Sequence, residues 1–122
     1  MTTSQEKLTV FILLKTLPAW LALSRESREK EAEDAIAAAM TLAGPFSFRF
    51  FDAEAFTATC TDVMMIEADS LMHHNFIMEA FRDTPLFTVP YFEIKEIIPA
   101  IEEGYKAYEA LLESRSKRKG AA

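Results

Sequence analysis

The sequence predicts a small α+β domain with the element order β-α-β-β-α-β-α. Three observations predict it. An alanine-rich helical run is bounded by a serine and a Gly-Pro pair. Short apolar or alternating runs lie on both sides of it. A second helical run follows an Asp-Ser pair and leads into another strand-like run. A chain of 122 residues has the length of one domain, and the expected boundaries are 1–122 with an ordered core over about 8–113. Its composition, 50% apolar and 26% charged, suits a globular core rather than a disordered chain.

Leu8 to Leu14 is short, apolar and rich in β-branched residues, which predicts a strand covered on both faces. Pro18 interrupts it and can open a helical turn to Leu23. Ser24 is a suitable N-cap for a helix over Arg25 to Ala43, and Glu26 suits its first turn. Ala32, Ala35, Ile36, Ala39 and Ala43 form its apolar stripe, and Gly44-Pro45 ends it. Phe46 to Phe51 alternates, with Phe46, Phe48 and Phe50 on one face and Arg49 on the other. After a connection over Asp52 to Thr59, Thr61 to Glu67 reads as the third strand.

Asp69 or Ser70 can cap a helix from Leu71 to about Arg82, which Thr84-Pro85 stops. Leu86 to Ile94 is expected as the fourth strand, with Pro90 marking an edge or a bulge. Pro99 is expected to open a last helix, with Ile101, Tyr105, Tyr108, Leu111 and Leu112 as its apolar stripe and a basic tail over 114–122. Two strand-helix-strand halves make a ferredoxin-like β-α-β-β-α-β sandwich with an extra C-terminal helix. Its helices cover one face of the sheet. Strand one is apolar on both, so a second copy of the chain is expected over the other face.

The run Thr9-Val-Phe-Ile-Leu-Leu-Lys-Thr16, then Pro18-Ala-Trp-Leu-Ala-Leu23, resembles the start of the darcynin family. Phe81-Arg-Asp-Thr-Pro-Leu-Phe87 followed by Pro90-Tyr-Phe-Glu-Ile94 resembles it too. The resemblance covers about Thr9 to Leu112. It implies a protein of uncharacterised function related to dimeric α/β-barrel proteins, which share a ferredoxin-like protomer and often hold small molecules between sheet and helices. It implies no catalytic residue.

Net charge is −6, which argues against nucleic acid as a partner. The polar stretch Met1 to Lys7 does not resemble a signal peptide, and no apolar run reaches the ~20 residues of a membrane span. With one cysteine, Cys60, a cytoplasmic setting is expected. His73 and His74 are adjacent, so on a helix they point about 100° apart and cannot chelate one ion together. Their plain reading is packing or surface; the sharper one is an acid, a base or a haem ligand, since some dimeric α/β barrels bind haem through a helical histidine. No metal site and no cofactor are expected, with haem as the alternative. Arg49 reads as a solvated strand charge, or as an anion clamp if its face lines a cavity. Trp20 and Met64 read as core, or as pocket walls.

The candidate ligand-binding set is therefore Trp20, Arg49, Asp62, Met64, His74 and Tyr91. The candidates for catalysis are His74, His73 and Arg49. The expected function is a homodimeric barrel binding a small apolar or aromatic ligand; the alternative is a small cofactor-independent or haem-dependent monooxygenase-like enzyme.

Overall fold

The computed structural model describes residues 7–121, with side chains to Arg118, so the polar stretch Met1–Glu6 lies outside the described residues. The elements run β1 (Leu8–Thr16), α1 (Pro18–Leu21), α2 (Arg25–Ala43), β2 (Ser47–Asp52), β3 (Asp62–Ala68), α3 (Leu71–Arg82), α4 (Pro85–Thr88), β4 (Phe92–Ile101) and α5 (Gly104–Ala121). The four strands form one antiparallel sheet in the order β2-β3-β1-β4. That is the ferredoxin-like α+β architecture the sequence predicts.

Local chemistry sets the helix ends. The Ser24 side chain accepts a hydrogen bond from the Ser27 amide and opens α2. Gly44 closes it at φ +86°, a left-handed conformation that costs glycine no steric penalty. Ser70 caps α3 by accepting from the His73 amide. Ala35 and Ala39 of α2, with Ile77, Met78 and Phe81 of α3, are buried against Val10, Ile12, Met64 and Ile66 of the central strands. Alternation does the rest: along β3, Asp62, Met64, Ile66 and Ala68 are buried and the residues between them are half-buried.

The second half of the chain departs from expectation. Leu86 to Ile94 is not one strand. Thr84 and Pro85 start the helical turn α4, because proline at the first helical position loses no needed donor. A bend with a cis Val89–Pro90 peptide follows, and β4 begins only at Phe92. Pro99 does not open a helix. It lies within β4 opposite Val10, on an edge strand where a missing N–H costs least. The last helix starts at Gly104 instead and carries the basic segment from Arg115 within it.

β4 also holds a bulge. Leu13 faces Glu96 whereas Leu14 faces Ile94, so Lys95 is the extra residue. Phe92 and Ile94 thereby share the helix-covered face with Ile97, which lies opposite Ile12. The apolar residues of α5, among them Tyr105, Tyr108, Leu111 and Leu112, remain exposed. Among the described residues no helix is long and apolar enough to cross a membrane.

Candidate functional site

The helix-covered face of the sheet is incompletely filled. Near the C-terminal end of β1 lies a cavity of about 630 Å³, a size suited to a small organic ligand. Its floor is Leu14 and Thr16 of β1, Phe48 and Phe50 of β2, Asp62 and Met64 of β3, and Phe92 of β4. Trp20, the first turns of α2, and Phe81, Leu86 and Phe87 form the walls. The β2–β3 connection supplies the rim, where Phe56 is 87% exposed.

The walls are mainly aromatic. Trp20 packs against Phe92 at 4.9 Å and edge-on against Tyr91 at 5.4 Å between ring centroids. Phe48 lies 6.4 Å from Phe50 and 6.2 Å from Phe81. Such contacts hold rings in fixed orientations beyond what area burial alone achieves.

One carboxylate is set in this apolar surround. Asp62 is only 6% exposed. The Thr16 hydroxyl donates to its Oδ2 at 2.6 Å and the Thr61 hydroxyl lies 2.7 Å from the same oxygen. The Thr16 amide donates to Thr61 Oγ1 at 2.7 Å, and the Thr61 amide donates to the Leu14 carbonyl, which fixes both hydroxyls. This placement follows from the antiparallel pairing of β1 and β3, in which Leu14 faces Asp62 across 48 positions of sequence. At the rim, Arg28 donates to the Trp20 and Leu21 carbonyls and ties α2 to α1.

The cavity brings together Trp20, Asp62 and Met64 of the expected ligand-binding set. Tyr91 stands behind Trp20, outside the lining. Arg49 lies on the opposite face of the sheet, exposed, with its guanidinium 5.0 Å from the Phe51 ring centroid. The alternation that turns Phe48 inward necessarily turns Arg49 outward. His73 and His74 are on α3 and neither lines the cavity. His73 Nδ1 accepts from the Asp69 amide at 2.9 Å, a capping contact. His74 Nδ1 is buried without a hydrogen-bond partner among the described residues. Burial, and to a lesser degree the neighbouring His73, push the His74 pKa below the ordinary imidazole value. Thr16 and Thr61 were not among the expected site residues. Hydroxyls at strand ends carry no distinctive pattern, and only the strand pairing reveals their shared partner.

The model of a family described as "Darcynin, domain of unknown function" matches residues 1–114. The chain belongs to the darcynin family. Darcynin 1 of Acinetobacter baumannii is 39% identical over 90 residues, covering 74% of this chain and 100% of the relative. Darcynin of Chromobacterium violaceum is 52% identical over 64 residues, covering 52% of this chain and 81% of the relative. Among solved structures, this darcynin resembles chlorite dismutase from Candidatus Nitrospira defluvii in complex with imidazole. The TM-score is 0.65 at 14% identity over 81% of this chain and 41% of the other. A putative chlorite dismutase gives a TM-score of 0.61 at 13% identity, over 78% of this chain and 43% of the other. The chain thus spans less than half the length of these structural neighbours, and at such identity the likeness shows the fold alone.

Could the darcynin cavity hold a haem through histidine? Its lining offers no imidazole; its one sulfur is that of Met64, and its carboxylates are those of Glu29, Asp52, Glu54 and Asp62. The residues present do not fit a histidine-ligated haem there. Among the described residues no three His, Cys, Asp or Glu side chains gather as a metal set.

Proposed function

We propose that this darcynin binds a small, largely apolar or aromatic molecule in the cavity between its sheet and helices. One observation carries the reading: a ligand-sized space in a small domain is walled by aromatic rings and has a single buried carboxylate on its floor. A half-open, mainly apolar cleft of this volume is of the kind that holds small molecules. The test is calorimetric titration with indole, phenol and 2-phenylethanol. We expect saturable one-to-one binding of at least one of them, abolished by Ala32→Trp, which fills the cavity from α2. Failure of all three to saturate overturns the reading.

We further propose that two copies associate through the uncovered face of the sheet. Phe11 and Leu13 of β1 stand there beside Val63 and Met65 of β3, Phe51 of β2 and Ile98 of β4. A contiguous apolar patch of this kind usually marks an interaction site. Arg49 and Glu67 on the same face give it charges of both signs, which a two-fold related copy can pair. Light scattering at micromolar concentration is expected to give twice the 13.8 kDa of one chain, and Met65→Glu to halve that mass. A wild-type mass of one chain would sink the dimer. The buried, unpaired thiol of Cys60 supports a reducing, cytoplasmic setting.

A further inference from the structure

We infer that the molecule held in this cavity is an organic cation, an apolar or aromatic body bearing an aliphatic ammonium group whose N–H bonds reach Asp62. The inference rests on the ligand-binding reading above and names the chemistry of the head group.

Three observations carry it. First, both short contacts from hydroxyls to Asp62 go to Oδ2, and among the described residues no hydrogen bond reaches Oδ1. The cavity-lining carboxylate therefore keeps acceptor capacity on the side of its second oxygen. Second, no lysine or arginine among the described residues pairs with Asp62. A carboxylate that is 6% exposed and has only neutral hydroxyl partners has lost most of its water without gaining a cation. A ligand that brings the cation offsets that loss.

Third, the remaining charges favour the same sign. Glu29, Asp52 and Glu54 line the cavity with Asp62, against Arg25 and Arg28. Arg28 is already committed to two backbone carbonyls. Asp52 lies directly opposite Asp62 in the β2–β3 register, so the entrance beside the buried carboxylate is itself acidic. The rings of Trp20, Phe48 and Phe50 add negatively polarised faces that attract a cation and repel an anion. An anionic ligand would meet four carboxylates and the ring faces with the wrong sign, and only Arg25 and Arg28 with the right one.

The experiment uses three probes of nearly the same shape: 2-phenylethylamine, 2-phenylethanol and 3-phenylpropionate. Each is titrated against the full chain at neutral pH by calorimetry and by the emission of Trp20, the one tryptophan of the sequence. We expect the amine to bind at least about 10-fold tighter than the alcohol, as for a buried charged pair, and the carboxylate to bind more weakly than either. Asp62→Asn is expected to weaken the amine by at least about 10-fold and the alcohol by much less, so that the gap between them closes. Equal or tighter binding of the alcohol by the wild-type protein overturns the inference and leaves the ligand-binding reading intact. If none of the three saturates, both fall. The wild-type ranking decides the matter even if Asp62→Asn fails to fold.

Discussion

The two faces of the sheet are built from the same strands, yet they meet different surroundings. On the helix-covered face, Val10, Ile12 and Ile66 are fully buried beneath α2 and α3. On the other, Phe11, Leu13, Val63 and Met65 are half-buried, screened only by their neighbours in the sheet. Both faces are apolar at their centre, although the uncovered one also carries Lys15, Arg49, Glu67, Glu93 and Glu96, so hydrophobicity at the centre alone does not distinguish them. What distinguishes them is whether the chain itself supplies the cover. The covered face is complete except where the cavity opens, and there the lining changes from aliphatic to aromatic and gains Asp62.

The comparison is broken most directly by truncating aromatic residues on the two sides of the sheet. Phe81 is fully buried beside Phe46 and Phe48. Phe81→Ala is expected to cost about 3–5 kcal/mol in denaturant titration. Phe48, half-buried at the cavity floor, should cost less, about 1–3 kcal/mol for Phe48→Ala, because part of its surface already faces open space. If Phe48→Ala matches Phe81→Ala, the cavity is closed in solution. On the opposite face, Phe11→Ala is expected to destabilise by an amount that grows with protein concentration, as the proposed cover by a second molecule requires. A concentration-independent effect would mean that the face is not an interface.

The smallest effect concerns pH. His74 has its pKa lowered by burial, so the unfolded chain takes up a proton before the folded one does. Its neutral form contributes stability that is present above about pH 6.5 and is lost as pH falls through the folded value. The melting temperature should therefore drop between pH 7.5 and pH 5.5, and drop less in His74→Asn. An equal drop in both proteins would assign the pH dependence to other groups.

Much of this arrangement was legible in the sequence. Ser24, the alanine stripe and Gly44 define α2 by local chemistry, and the capping serine and apolar period define α3. The alternation Phe46, Phe48, Phe50 places β2 and sends Arg49 outward without any knowledge of tertiary structure. β4 was not legible because its alternation breaks at Lys95 and because Pro99 looks like a stop until its strand is known to be an edge. The site was legible only in part for a related reason. Trp20, Asp62 and Met64 can be nominated by type, but their convergence with Thr16 and Thr61 depends on which strands pair. That is a property of the whole chain and not of any short run of it.

The bulge in β4 behaves like a change of frame. Ahead of Lys95, even-numbered residues such as Phe92 and Ile94 look toward the helices; beyond it, odd-numbered residues such as Ile97 do. If Lys95 were paired in turn instead of bulged out, the chain would keep every apolar residue it has, yet one half of the strand would have to turn over. If the first half turned, Phe92 would leave the cavity and Glu93 would enter in its place. The proposed binding of small aromatics would then be lost with no change in the mass or charge of the protein. Spacing along this edge, more than the identity of any side chain on it, sets which residues of β4 face the cavity.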